Sequence, residues 1–315
     1  MQLREEMRQY YLLSTEHLEN KLWFREVDDF AVGMNYVALQ VALSPEIVVL
    51  AFILMSNHVH FVLYGTEEEV RAFVNAFKQR YSMYLYRKYG LREHLQENDL
   101  DVKEISVYGA EALERAIAYV QMNCVAAKIC AHPSQYPWGT GRAFFQADGK
   151  DAIQAVKSGA SKHNFPPSYK CLADLSGRAR KRLMHSDLAI NLPGNWLVSA
   201  EGYVLPENYV AVEAVERLYR NPGRMNYFLN TSSKARKRMD SEDDRVPAFK
   251  DQLILQALPD LLRGLFRKVR LEDLNQEEKA ETLRQIRYRF SANVHQAARV
   301  CGLSYAEAAR LIDSA

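Results

Sequence analysis

Two apolar runs joined by a short turn constrain the fold of this chain more than any other segment. Residues 46–54 read EIVVLAFIL and residues 58–63 read HVHFVL. β-Branched and aromatic side chains of this density favour strands. Ser56-Asn57 lies between the two runs and supplies the residue types of a tight turn. The segment therefore predicts two neighbouring antiparallel strands.

The second of these strands carries two histidines. Alternate side chains of a strand share a face, so His58 and His60 point the same way and Val59 points to the opposite face. Two imidazoles on one face are a pair of metal ligands that needs a third. The alternative is that both are ordinary core or surface histidines. The other histidines have no ligand spacing; they are His94, His132, His163, His185 and His295.

The surrounding sequence alternates strand-like and helix-like segments. Thr66 and Glu69 form the pattern of a capping box at the start of a helix, and Gly90 is the signal that ends this helix. The predicted strands cover 10–18, 46–54, 58–63 and 100–107, and the predicted helices cover 27–41, 66–89 and a segment from about 110. This order, with hairpin pairing, predicts an α+β domain.

The helix that begins near residue 110 adds two functional candidates. Tyr119 and Asn123 are four residues apart, so they share one helix face. If that face looks at the histidine strand, Asn123 can supply an oxygen ligand while Tyr119 reaches a substrate. Two imidazoles and an amide oxygen leave open positions on an octahedral ion such as Mg²⁺ or Mn²⁺. A phosphate group of DNA fits those positions.

Three motifs in this order resemble one known family. They are MSNHVH at 55–60, YVQMN at 119–123 and YPW at 136–138. Together they resemble the single-tyrosine HUH transposases, and in particular the subgroup associated with repetitive extragenic palindromes. The resemblance covers roughly residues 9–145. Two positions depart from it: Ser56 and Cys124 stand where the family has proline. Without proline at 124, we expect the helix to continue to about Cys130.

The resemblance implies both a fold and a reaction. The fold is a ferredoxin-like antiparallel sheet with helices on one face and the histidines on a central strand. His58, His60 and Asn123 would bind the divalent metal, and Tyr119 would be the nucleophile. The reaction cleaves and rejoins single-stranded DNA beside a hairpin or palindrome through a covalent 5′-phosphotyrosine. Such proteins act as monomers or homodimers.

Other tyrosines compete with Tyr119. Tyr81, Tyr84, Tyr86 and Tyr89 lie on the long helix 66–89, interspersed with cations. They are either an aromatic core stripe with a solvated basic face or a DNA-contacting surface. On the second interpretation Arg80, Arg87 and Lys88 contact DNA.

Composition divides the chain at about residue 148. We assign 1–148 to the nuclease domain, 149–245 to a basic connector and 246–315 to a helical region. The connector contains Arg178, Arg180, Lys181 and Arg182, and a second basic run at 234–238 precedes an acidic stretch at 240–244. Charge runs are usually solvated faces, but beside a nuclease they favour contact with the DNA backbone. The acidic stretch is typical of a mobile linker.

The C-terminal sequence predicts a helix-turn-helix. Helices are expected at 282–290, 294–301 and 304–312, with Gly302 at the turn and Ser304 as an N-cap. The last would be the recognition helix, with Ser304, Tyr305, Glu307 and Arg310 available to DNA. A small helical bundle for protein contacts remains the alternative.

Bulk properties fit these expectations without selecting among them. The net charge is +2, and the four cysteines have no metal-binding or disulfide spacing. We expect a cytoplasmic protein that binds no membrane, because no apolar run approaches ~20 residues. Two other functions remain open. One is a DNA-binding regulator without catalysis; the other is a metal hydrolase that uses water, for which Glu104 and Glu114 are the nearest carboxylates.

Overall fold

The first half of the chain folds around a four-stranded antiparallel sheet. The structure is a computed structural model that describes residues 7–15, 22–91, 100–106, 111–146, 151, 153, 169–232, 251–290 and 292–313. The elements of the first half are β1 (Gln9–Ser14), α1 (Val27–Leu43), β2 (Val48–Met55), β3 (His58–Gly65), α2 (Glu67–Tyr89), β4 (Asp101–Ile105), α3 (Ala112–Gln121) and α4 (Asn123–Ala126). The predicted α+β class is confirmed.

The strands lie in the order β2-β3-β1-β4, and every neighbouring pair is antiparallel. β2 and β3 are consecutive strands joined by the Ser56-Asn57 turn, as the sequence predicts. His60 lies opposite Ile53 of β2 and Ser14 of β1. The order β-α-β-β-α-β is that of two interleaved split β-α-β units. It places the histidine strand in the interior of the sheet.

Helices cover both faces of the sheet, whereas the resemblance implied one. Phe61 packs against Phe73 and Phe77 of α2, with ring centroids 5.9 Å apart in each pair. His60 points to the opposite face and meets Tyr119 of α3. β2 and β3 are buried at nearly every position, so their apolar side chains need cover on both faces.

The predicted limits of α2 are confirmed by its caps. The Glu69 N–H donates to Thr66 Oγ1 at 3.2 Å, and the Thr66 N–H donates to Glu69 Oε2 at 2.8 Å. Gly90 ends the helix in the left-handed region at φ 69°. This conformation is cheap only for glycine, which explains the sharp stop.

The helix that carries Tyr119 is shorter than predicted. It breaks at Met122 and ends at Ala126 instead of Cys130. Asn123 Nδ2 donates to the carbonyl oxygens of Tyr119 and Val120, at 3.0 and 3.1 Å, and so competes with the helix's own hydrogen bonds. Lys128 then turns the chain at φ 57°. Absence of proline at 124 was therefore not enough to extend the helix.

The described part of the segment assigned to a connector is folded onto the first domain. It contains a two-stranded sheet and three helices, namely β5 (Lys170–Cys171), α5 (Gly177–Met184), β6 (Leu197–Val198), α6 (Val212–Tyr219) and α7 (Pro222–Thr231). Leu172, Val204 and Phe228 belong to the same apolar core as the sheet. The side chain of Asn35 on α1 bonds to the backbone of Leu183, Gly202 and Val204. The basic run 234–238 and the acidic stretch 240–244 lie outside the described residues.

The C-terminal helices form a second apolar core. They are α8 (Asp251–Phe266), α9 (Gln276–Phe290), α10 (Val294–Cys301) and α11 (Tyr305–Asp313). α9 begins six residues before the predicted 282, because Asn275 and Glu278 form a capping pair. Gly302 turns the chain at φ 64°, and Ser304 Oγ accepts from the Glu307 N–H as expected of an N-cap. Within the described ranges, no helix combines the length and apolar character needed to cross a membrane.

Candidate functional site

Strand β3 presents both histidines on the face that α3 covers. His60 is 3% exposed, and His58 at the strand's first position is half-buried. Their ring centroids are 4.8 Å apart, and the ring planes are nearly perpendicular at 87°. The alternation predicted for this strand therefore brings two imidazoles into contact.

The turn before β3 orients His58. Asn57 Oδ1 accepts a hydrogen bond from His58 Nδ1 at 2.8 Å. This bond keeps the proton on Nδ1 and the lone pair on Nε2, the arrangement common in metal-binding histidines. The turn is itself held, because the Ser56 carbonyl accepts from the N–H groups of Trp23 and Phe24 at 2.8 and 3.1 Å.

Tyr119 approaches the histidines from α3. Its ring centroid lies 5.8 Å from that of His60, and the rings meet edge to face at 84°. The side chain is half-buried, so part of it remains accessible. The structure thus brings together His58, His60 and Tyr119, three of the residues that the sequence selected.

Asn123 lies one turn further along the chain and is 4% exposed. Its Nδ2 is committed to the backbone of its own helix, and its oxygen takes no part in those bonds. Within the described ranges, no three His, Cys, Asp or Glu side chains are grouped to hold a metal. The set predicted from the sequence is the two imidazoles of His58 and His60 and the amide oxygen of Asn123. A set of nitrogen and oxygen donors with open positions fits a divalent cation.

The two carboxylates considered for a hydrolytic alternative either point away from the histidines or are already paired. Glu104 lies directly opposite Tyr11 of β1, and its side chain therefore points to the sheet face opposite His60. Glu114 is 8% exposed and forms an ion pair with Arg224 at 3.3 Å. Asp101 is on the histidine face but two strands away, about 10 Å, and it pairs with Lys103.

The competing tyrosines of α2 have structural roles on the other side of the sheet. The buried carboxylate of Asp29 accepts from Tyr84 at 2.7 Å and from Tyr89 at 2.9 Å. The Tyr81 hydroxyl donates to the Trp23 carbonyl at 3.0 Å. Burial, followed by the Asp29 charge, holds the pKa of Tyr81 well above its ordinary value. Tyr86 differs from them, because it is 52% exposed.

The structure gathers some of the predicted DNA-binding cations at one cavity. Arg87, Lys88 and Arg182 line a cavity of about 740 Å³ between α1, α2 and α5, together with the carboxylates of Asp28 and Glu201. In the described part of the chain, no carboxylate forms an ion pair with Arg87 or Arg182. Lys88 is engaged, because it pairs with Asp29 at 2.7 Å. Although burial opposes it, the hydrogen bonds to Asp29 and Glu26 raise the pKa of Lys88.

The remaining predicted cations are not brought to that cavity. On α5, Arg180 donates to the Leu175 carbonyl at 3.3 Å and Lys181 pairs with Asp187 at 2.8 Å, while Arg178 is exposed. Arg80 donates to Gln40 on α1 at 3.4 Å.

On α11, Tyr305 stacks on His295 with centroids 4.2 Å apart, and Arg310 is exposed. Both belong to the helices of the second core.

Sequence reasoning missed one polar cluster beside the site. Ser56 Oγ donates to Asp251 Oδ2 at 3.0 Å, and Asp251 also binds Gln296 and Arg299. The departure from proline at Ser56 was the available signal, but nothing local in the sequence indicates its partner.

No protein-family model, curated protein or solved structure matches this chain significantly.

Proposed function

We propose that this protein is a metal-dependent single-stranded DNA transposase or endonuclease of the single-tyrosine HUH type. The observation that carries the proposal is the convergence of His58, His60 and Tyr119 at one site. Tyr119 lies 59 positions after His60 in the sequence, on a separate element. The interleaved order of the sheet supports the ferredoxin-like form of that fold.

A divalent cation, Mg²⁺ or Mn²⁺, is the cofactor that these residues suit. His58 and His60 would hold it through ring nitrogens, and the Asn123 amide oxygen is the third candidate. When bound, such an ion polarises a phosphodiester and orients it for in-line attack. The remaining roles belong to the chain's own groups.

Tyr119 is the nucleophile of the proposed reaction. Its Oη attacks the scissile phosphorus, a bond from phosphorus to Tyr119 Oη forms, and the bond to the 3′ oxygen breaks. The tyrosine proton is lost, and the departing 3′ oxygen gains one to become a hydroxyl. Attack by a 3′ hydroxyl on the 5′-phosphotyrosine reverses these changes and rejoins a strand without an external energy source.

DNA is the proposed partner. Arg87 and Arg182, which line one cavity, suit backbone phosphates, which position a nucleic acid without reading its sequence. The pair α10–α11, with its tight Gly302 turn, suits a helix-turn-helix that presents Tyr305 and Arg310. A hairpin with a single-stranded flank would be recognised mainly by shape and phosphate contacts.

A DNA-binding regulator without catalysis is the second candidate. It is favoured by the position of the cavity lined by Arg87 and Arg182, which lies beside α1 and α2 on the face opposite the histidines. Binding of DNA phosphates by these two arginines would not need Tyr119 to react.

A covalent-adduct assay separates the two functions. Labelled hairpin single-stranded DNA from the flanks of the protein's own gene is incubated with the protein and Mg²⁺ or Mn²⁺, then run on a denaturing gel. We expect an adduct that disappears in Tyr119→Phe and with a chelator. Tyr86→Phe is the matched control, because Tyr86 is an exposed tyrosine on another helix, and it should retain the adduct. Hairpin binding without an adduct in the wild type would support the regulator instead.

A further inference from the structure

A buried carboxylate joins the C-terminal helices to the turn that carries the histidines. Asp251, at the start of α8, is 1% exposed. Its carboxylate accepts from Arg299 Nε at 3.0 Å and Arg299 Nη2 at 3.2 Å, and from Gln296 Nε2 at 3.0 Å. It also accepts from Ser56 Oγ at 3.0 Å. Both its oxygens are therefore satisfied by groups from two segments, the Ser56-Asn57 turn and α10.

The buried charge of Asp251 is stabilised by the donors around it. A buried carboxylate is stable only when paired and hydrogen-bonded, because its hydration is lost. Arg299 supplies the charge with two parallel bonds, a geometry that fixes direction as well as distance. Ser56 is 1% exposed and Gln296 is fully buried, so water does not replace either donor easily.

The cluster reaches the histidines through the turn. Ser56 is two residues before His58, and Asn57 between them binds His58 Nδ1. On one side the Ser56 carbonyl is held by the N–H groups of Trp23 and Phe24. On the other side its hydroxyl is held by Asp251. Asp251 thus anchors the turn from the C-terminal helices.

We propose that Asp251 is a positioning residue that, through Ser56, sets the orientation of His58 and couples the C-terminal helices to the histidine site. Gln296 and Arg299 lie on α10, the first helix of the pair proposed to bind DNA. If α10 moves when DNA binds, the movement would therefore change the orientation of His58 through Asp251 and Ser56. The inference rests on the proposed function in treating His58 as a metal ligand.

Metal affinity of the full-length protein tests this coupling. Mn²⁺ binding is measured by electron paramagnetic resonance for wild type, Ser56→Ala, Asp251→Asn and the double variant, with circular dichroism to verify folding. We expect Ser56→Ala to weaken Mn²⁺ binding about tenfold, the usual lower end for loss of a group that orients a ligand. The double variant should be no weaker than Asp251→Asn alone, because both changes break one connection.

Ser44→Ala is the matched control. Ser44 is also buried and accepts one hydrogen bond, from Gln40 at 2.9 Å, at the end of α1. It should bind Mn²⁺ like the wild type. A folded Ser56→Ala protein with wild-type affinity would overturn the proposal.

A second measurement keeps the coupling distinguishable from the proposed function. In metal-free protein, the ¹⁵N signals of the His58 ring report which nitrogen carries the proton. We expect the Nδ1–H form in wild type and a mixture of forms in Ser56→Ala. If wild type binds no Mn²⁺ but these signals change, the metal site fails and the positioning role stands. If they do not change, the positioning role fails.

Discussion

At the scale of single residues, polar side chains in this protein work in clusters that depend on distant partners. His58 is oriented by its neighbour Asn57, but the turn that carries both is held by Trp23, Phe24 and Asp251. Asp29 likewise gathers Tyr84, Tyr89 and Lys88 on the opposite face. In each cluster one buried carboxylate, Asp251 or Asp29, accepts hydrogen bonds from side chains that are distant in the sequence.

Asp251 should make stability depend on pH. Burial by itself raises the pKa of Asp251, but Arg299 and the hydrogen bonds from Gln296 and Ser56 hold it below its ordinary value. A lowered folded-state pKa contributes stability above the unfolded-state value, and this contribution is lost as pH falls through the folded-state value. Asp251→Asn should therefore lower the free energy of unfolding by about 3 kcal/mol at pH 7, and the difference should shrink below about pH 4.

Urea unfolding of wild type and Asp251→Asn between pH 3 and pH 7 would measure this difference. Asp187→Asn is the control, since Lys181 also lowers the pKa of that carboxyl but the group is fully exposed. It should unfold like the wild type throughout. A difference for Asp251→Asn that is the same at pH 3 and pH 7 would contradict the expectation.

At the scale of elements, local sequence rules set where α2 begins and ends. Thr66 and Glu69 close the capping box, and Gly90 stops the helix with positive φ. These interactions involve residues within four positions of each other, so the sequence alone predicts them. α3 shows the limit of such rules, because Asn123 bonds back to Tyr119 and Val120 and the helix ends early.

Gly90→Ala should destabilise the protein by about 1 kcal/mol, the usual cost of a left-handed conformation for a residue with a Cβ. A Cβ at Gly90 would meet no atom within 4 Å, so strain in the backbone is the only cause. Thermal unfolding would measure the loss. Gly264 is the control, as it lies inside α8 without positive φ and also faces open space. Gly264→Ala should stabilise by about 0.5–1 kcal/mol. Equal effects at the two glycines would refute the interpretation.

At the scale of the whole molecule, the described residues form two apolar cores, and their division does not follow the composition of the sequence. Residues 169–232 belong with the sheet, while α8 to α11 form the second core. The change in composition after about residue 148 suggested a connector. The buried side chains of Leu172, Val204 and Phe228 show that the segment is packed.

Asn35→Ala tests whether residues 169–232 are held against α1. The Asn35 side chain donates to the carbonyls of Leu183 at 3.2 Å and Gly202 at 2.9 Å, and it accepts from the Val204 N–H at 2.9 Å. Loss of the amide leaves buried backbone groups unsatisfied, so we expect destabilisation of about 2–3 kcal/mol. Chemical denaturation would measure it, with the exposed Asn226→Ala as control. If the two variants unfold alike, residues 169–232 are not held by α1.

Local sequence is enough to predict several features of this protein, namely the antiparallel strands β2 and β3, the shared face of His58 and His60, the caps of α2 and the turn at Gly302. Each depends on side-chain alternation or on contacts within a few residues. Tertiary structure decided the rest, including which face α3 covers, the contact of Tyr119 with His60, and the pairing of Ser56 with Asp251. Those partners are 59 and 195 positions apart. Packing of separate elements, which local propensity does not encode, brings them together.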